Sequence, residues 1–288
     1  MSQLFFKTTT TAYVYDGATV TQVTDGDYPA TTIRGCAYLD GVFYVATADG
    51  TIYGSDLENG LSWNALNFIQ AIITPENAVF LAKHDSYVVI FKKFNTEFFF
   101  DAANPPPGSA LGSVPNLAFK IGCASDASVK EISGTIVWMG QMKDGMGRGI
   151  YRLNQDAPEK ISDASIEKIL DADSLSSVSS WVCKVGSHTL YGLNLSSVTL
   201  VYDFESGLWS YFTYLATSGS TKTITAITAE GVVTSTAHGF SDGDILNIAG
   251  TNSDFNGFAV ATNVSTNAYT IQQPGTAFSG SGTAQKYT

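Results

Sequence analysis

The chain has 288 residues, 44% of them apolar and only 14% charged, with a formal net charge of −11. That length is ample for a packed core in one or two domains, and that charge excludes a protein built to grip nucleic acid, which needs a basic face to neutralise phosphates. Cys36, Cys123 and Cys183 are odd in number and widely spaced, with no Cys-x-x-Cys pair, so neither a disulfide framework nor a zinc site is expected.

The opening MSQLFFKTTTT lacks a charged segment followed by a long apolar core, and no apolar run approaches 18 residues. Neither a secretory signal nor a membrane anchor is therefore expected, and the sequons at Asn194 and Asn263 carry no meaning. Residues 4–24 read as a strand and a hairpin, with Asp16 and Gly17 near the turn. A connector with Asp25, Asp27 and Pro29 follows. Asp40-Gly41 and Asp49-Gly50 bracket a strand over 42–47, because Asp-Gly tolerates the positive φ of tight hairpins. Residues 86–101, SYVVIFKKFNTEFFFD, are two β-rich runs joined by a polar link with Lys92, Lys93 and Asn95, which reads as a hairpin with a solvated tip. Residues 104–115, with three consecutive prolines, cannot continue a central strand and read as an excursion. Residues 162–173 are the one good helix candidate, capped by Ser162 or Asp163, with Ile166, Ile169 and Leu170 on one face.

The hairpin recurs at 41–56, 134–154 and 187–203, with a shorter relative at 12–17. The second strands end at Asp16, Asp56, Asp101, Asn154 and Asp203, in steps of 40, 45, 53 and 49 residues. An imperfect period of that size marks propeller blades, each a small antiparallel sheet. The polar stretch 216–221 reads as a linker. Beyond it the aromatics thin out and residues 222–288 alternate in five or six short strands. The expectation is an all-β protein: a propeller-like domain over 1–215, whose four or five blade-like units need not close a full ring, and a small C-terminal β-barrel over 222–288.

Reactive constellations are scarce. Residues 58–63 (ENGLSW) approximate the acid-x-Gly-x-x-Trp part of an Asp-box, and 205–209 (ESGLW) a shorter form, a turn that stabilises blades away from any active site. Arg34, Arg148 and Arg152 are the only arginines, and two lie four residues apart, which argues against a three-arginine carboxylate clamp. His84, His188 and His238 are isolated. Cys183 and His188, five apart across a turn, would make a nucleophile–base pair only if the fold brings them together. Asp25 with Asp27 and Asp242 with Asp244 offer hard oxygen ligands for calcium, although turn chemistry explains both. Lys92, Lys93 and the loop 143–148 are the compact basic spots, open to a phosphate backbone or an acidic neighbour. The expected inventory is no catalytic, cofactor or metal residue.

Three segments in this order, SYVVIFKKFNTEFFFDAA, IGCASDASVKEISGTIVWMG and GRGIYRLNQDAPEKISDASIEKIL, resemble the packaged-DNA stabilisation (tail hub or nozzle) proteins of short-tailed bacteriophages. The C-terminal part, with Thr236 to Phe240 followed by Asp242-Gly243-Asp244, resembles the small barrel related to the FCCH domain of ubiquitin-activating enzymes. The resemblance implies a non-enzymatic virion protein, assembled in the host cytoplasm. It implies a homo-oligomeric ring, a hexamer, below the portal, in contact with portal or adaptor subunits and with needle, spike or fibre proteins. Double-stranded DNA would be retained and then pass through without sequence readout. Two other readings stay open: a polysaccharide-degrading propeller, which needs two carboxylates about 5–10 Å apart, and a host-glycan binding module.

Overall fold

A computed structural model describes residues 3–105, 107–132, 134–145, 147–213 and 217–287. The chain divides into two compact units, Met1–Phe212 and Thr213–Thr288. The first unit is a succession of antiparallel sheets. Sheet 1 comprises β1 (Leu4–Lys7), β2 (Ala12–Tyr15) and β3 (Val20–Gln22). A two-residue β4 (Arg34–Gly35) leads into sheet 2, made of β5 (Ala37–Leu39), β6 (Val42–Ala46), β7 (Thr51–Asp56) and β8 (Asn59–Gln70). Sheet 3 contains β9 (Ala78–His84), β10 (Tyr87–Lys92), β11 (Thr96–Asp101) and β12 (Leu111–Ser113), and β4 joins it in parallel to β9. Sheet 4 contains β13 (Gly122–Cys123), β14 (Lys130–Ile132), β15 (Thr135–Gln141), β16 (Arg148–Asn154) and β17 (Ala157–Lys160). Helix α1 (Ala164–Ala172) precedes sheet 5, formed by β18 (Ser179–Val185), β19 (His188–Asn194), β20 (Val198–Asp203) and β21 (Leu208–Thr213).

The period-2 alternation of strands explains how these sheets stack. On β6, Phe43 and Val45 join Phe5 and Val14 of sheet 1, while Val42, Tyr44 and Ala46 join Val88, Ile90 and Phe99 of sheet 3. On β10 the alternate residues Val89 and Phe91 join Ile136 and Trp138 of sheet 4. Val137 and Met139 of β15 then join Tyr191 and Leu193 of sheet 5. Each central strand is therefore apolar on both faces, and β6 is buried along its whole length. This is blade-on-blade packing, and the fold is an all-β, propeller-like one. At the sheet 1 end of the stack a face lies bare: Leu4, Phe6, Tyr15 and Val20 share one face of sheet 1 and are exposed.

The helix forms where the spacing predicts it. Asp163 caps it by accepting from the backbone N–H groups of Ser165 and Ile166, and Ile166 and Leu170 are the buried residues. Ser162 turns inward instead, its Oγ accepting from the Ile150 N–H and donating to Glu167.

The second unit is one six-stranded sheet in the order β25-β24-β27-β22-β23-β26, where β22 is Thr217–Ile227, β23 Val232–Thr234, β24 Ile245–Ala249, β25 Gly257–Val260, β26 Ala268–Thr270 and β27 Phe278–Tyr287. Thr262 and Thr270 exchange backbone hydrogen bonds, which curls the two edges of the sheet toward each other. Ile224, Val233, Leu246, Ile248, Phe255 and Tyr269 fill the interior. The stretch expected as a linker, 216–221, is mostly strand: Thr217 and Ser218 already pair with Tyr287 and Lys286. Its polar composition reads as a linker, but threonine is a good strand residue once a partner strand is available. Ala216 and the expected boundary at 215 lie outside the described residues.

Candidate functional site

In a four-stranded meander the first and third turns fall at one end of the sheet and the second at the other. In sheets 2 to 5 the first end is acidic. Its turns and the strand ends beside them hold Asp40, Asp56 and Glu58, Asp85, Asp101, Asp156, and Asp203 with Glu205; the turns themselves contain no lysine or arginine, and Lys83 and Lys184 are the lysines one residue inside the strands there. Backbone geometry explains part of this. Asp40, Glu58 and Asp85 have φ of 47°, 55° and 46°, a region that Asp tolerates better than most residues. Asp101 accepts from the Ala103 N–H at 2.7 Å and Asp203 from the Glu205 N–H at 3.0 Å, so in sheets 3 and 5 the acid that ends the third strand also organises the turn after it. Asp16 does the same in sheet 1, accepting from Ala18 and Thr19 at 2.9 and 2.8 Å.

Three of these turns meet at a cleft of about 380 Å³ between sheets 2 and 3. Asp40, Asp56 and Asp101 line it, with Asn64, Asn67 and Asn104 as further polar groups and Val42, Leu57, Pro105 and Pro107 as apolar wall. Among the described residues none of the three carboxylates has a cationic partner. The Asn67 amide donates to the Ser55 carbonyl at 3.1 Å, but its Oδ1 is buried without a partner. The strand-end acids are visible in the sequence as a period; that three of them converge is not.

The other candidate residues resolve into structural roles. Lys92 is no solvated tip. It is fully buried, and its Nζ donates to the Ala71 carbonyl at 2.6 Å, to the Thr74 carbonyl, and to Glu97 Oε1 at 3.0 Å. Lys93 is the exposed neighbour, over the Phe94 ring. Arg34 pairs with Asp126, Arg152 with Glu159, and Arg148 donates to the carbonyls of Leu170 and Asp173, so the arginines serve three separate places. Met146 of the glycine-rich loop lies outside the described residues.

Cys183, His188 and Asp203 share one face of sheet 5, and His188 Nδ1 sits 2.7 Å from Asp203 Oδ2. Cys183 pairs with Leu190, however, which makes it a diagonal neighbour of His188, and no hydrogen bond joins thiol to imidazole. His84, Asp85 and Asp156 come close enough to share an ion. The imidazole Nε2 is already engaged with the Gln155 carbonyl, and Nδ1 is buried without a partner. A metal on Nε2 would leave an Nδ1–H with no acceptor, contrary to the usual outer-shell arrangement, so this group reads as a latch between the tips of sheets 3 and 4.

The two Asp-Gly-Asp turns spend their carboxylates internally. Asp244 contacts Lys286 at 2.7 Å and accepts from the Ser241 N–H, and Asp242 accepts from the Val264 N–H. Asp25 accepts from the N–H groups of Asp27 and Trp63, which hold its carboxyl below the ordinary carboxylate range. The Asp-box-like turn positions Trp63, whose Nε1 donates to the Gly60 carbonyl while the ring packs on Phe5 and Tyr28. Trp209 likewise donates to the Ile161 carbonyl.

Two expectations follow from these environments. A carboxyl depressed in the fold contributes stability that is complete above its unfolded pKa of about 3.9 and is lost as pH falls through the lower folded value. The melting temperature of the first unit should thus be flat from about pH 7 to 5 and fall below about pH 4. Asp25→Asn should melt lower than wild type at pH 7, with the gap narrowing as pH falls below about 4; a gap of constant size would refute the assignment. Burial pushes the Cys123 thiol up to about 12, so a thiol reagent at pH 8 should modify exposed Cys36 and half-buried Cys183 but not Cys123 until the chain is unfolded. Counting modified thiols by mass spectrometry checks this.

Residues 2–238 match the family model described as bacteriophage P22 Gp10, β-propeller. No curated protein sequence matches the chain. Among solved structures the chain is similar to BamB from Moraxella catarrhalis at 9% identity, over 99% of this chain and 93% of that one, with a TM-score of 0.45. It is similar to the computationally designed Ika8 protein at 15% identity, over 98% and 81%, with a TM-score of 0.39. It is also similar to the dihydro-heme d1 dehydrogenase NirN at 11% identity, over 96% and 65%, with a TM-score of 0.45.

Proposed function

The chain belongs to the bacteriophage P22 Gp10 β-propeller family, and from that premise we propose that it is a structural subunit of a short phage tail, the hub or nozzle that extends the DNA channel below the portal. Six copies form a ring that contacts portal or adaptor subunits and other tail proteins. The ring retains the packaged genome and lets it pass at ejection. The observation that carries this reading is the family match over residues 2–238. The net charge of −11 supports it, because a wall past which duplex DNA slides gains nothing from gripping phosphates. The side chains support a non-catalytic role, since the candidate nucleophile and its base are not hydrogen-bonded and the arginines are dispersed.

The test is direct. Antibody-labelled, negatively stained virions should carry the label at the tail, and the purified protein should sediment as a ring-sized oligomer. A monomer that is absent from purified virions and releases reducing sugar from host surface polysaccharide would overturn the reading.

A further inference from the structure

We propose that the cleft between the tips of sheets 2 and 3 receives a lysine or arginine side chain from a partner protein, and that the acidic end of the first unit is a docking face for a basic segment. This extends the tail-subunit reading by giving the chemistry of one contact, and it rests on that reading only for where the partner is met.

Three observations carry the assignment. The first is charge. Asp40, Asp56 and Asp101 converge on one cleft with no counter-cation among the described residues, at an end of the unit whose turns hold no lysine or arginine. The exposed lysines of the turns, Lys93 and Lys143, lie at the opposite end. The second is the surplus of acceptors beside the cleft. Tyr44 is 1% exposed, and its hydroxyl has no hydrogen bond to any described residue. Its ring and the Asn67 side chain both crowd Gly54, and burial, then the charges of Asp101 and Asp40, push its phenol up. The ring therefore lies beside Asn67, which lines the cleft. Together with the unpartnered Asn67 Oδ1, these groups ask for a ligand with several donors. Ammonium and guanidinium groups are such donors.

The third is shape. A cleft of about 380 Å³ with Val42, Leu57, Pro105 and Pro107 on its walls is too large and too apolar for a single ion. It suits a methylene stem that ends in a charge. Among the described residues, the groups that do come within reach of one ion are His84, Asp85 and Asp156, outside this cleft.

The experiment uses the full chain and a fluorescent peptide, Gly-Arg-Gly-Lys-Gly, read by anisotropy at about 0.15 M salt, near the physiological ionic strength at which surface charges are screened. Asp40→Asn with Asp101→Asn should weaken binding on the order of tenfold, as expected when a semi-buried charge pair loses a partner. Asp156→Asn with Glu205→Gln removes the same charge from tips outside the cleft and should change affinity by no more than about twofold, the size of a rim effect. Tyr44→Phe leaves every carboxylate in place and should also weaken the peptide. Equal losses in the two double variants would mean a diffuse acidic field and would overturn the proposal. So would no loss in either, or stoichiometric Ca²⁺ binding that the cleft variants abolish while the peptide fails to bind. Peptide binding and incorporation into virions are separate measurements, so failure of one is distinguishable from failure of the other.

Discussion

Lys92→Met is expected to destabilise the first unit by about 3–5 kcal/mol, the range seen when one partner of a buried ion pair is removed. The substitution keeps the length of the side chain and deletes its charge. It leaves the Glu97 carboxylate, itself 2% exposed, without a cation, and it orphans the carbonyls of Ala71 and Thr74. Those carbonyls belong to the 71–77 crossing from sheet 2 to sheet 3, whose Ile73 N–H also leans on Glu97. The crossing exposes Ile72 and Ile73, and the pair holds it together with the Ala71 N–H on the Gly50 carbonyl and the Lys93 N–H on the Asn77 carbonyl. The double variant Lys92→Met with Glu97→Leu should recover much of the loss, because replacing both charges by apolar groups removes the desolvation penalty. Lys93→Met, on the exposed neighbour, should stay within about 0.5 kcal/mol of wild type. Urea unfolding of the four proteins reads all of this, and a Lys92→Met protein within 1 kcal/mol of wild type would sink the account.

Lys92 also shows what a sequence conceals. A lysine directly after an apolar run, beside a second lysine and three residues before an asparagine, has the local look of a hairpin corner. Its burial depends on Ala71 and Thr74, which come from the crossing between sheets 2 and 3, and no local pattern carries that. The central hairpins were legible for the opposite reason. Runs such as YVVIF and IVWM are apolar at every position because both faces are covered, and Asp56, Asp101 and Asp203 close the corresponding strands of three blades. The helix was legible through its Asp163 cap and the Ile166–Leu170 spacing. The 216–221 segment was misread because threonine and serine suit a strand as well as a linker, and pairing with Lys286 and Tyr287 decides between them. The cleft was hidden in plain view: Asp56 and Asp101 mark the repeat, but their convergence with Asp40 is a property of the stack.

The stack itself is most exposed to damage at Trp138. Trp138→Ala is expected to cost about 3–5 kcal/mol, the range for large aromatic truncations in a core. The ring is fully buried between sheets 3 and 4, 5.0 Å from Phe91 and 5.9 Å from Tyr151 by centroid. Its Nε1 donates to the Gly122 carbonyl at 3.1 Å, in a segment pressed so close to the 92–94 turn that a Cβ on Gly122 would meet backbone at 2.3 Å. The tryptophan thus fills the space between two blades and also satisfies the acceptor of the strand that joins them. Trp138→Phe separates the two effects. It retains most of the buried area and loses the donor, so its cost should be roughly 1–3 kcal/mol, that of leaving a buried acceptor unsatisfied together with a small cavity. Since unfolding of a blade stack need not remain all-or-none when one junction is weakened, the denaturant slope is the second readout. A lower slope for Trp138→Ala, with the second unit's transition unchanged, is the signature of sheets 3 and 4 parting first. Equal losses for alanine and phenylalanine would instead place the whole effect on the hydrogen bond to Gly122.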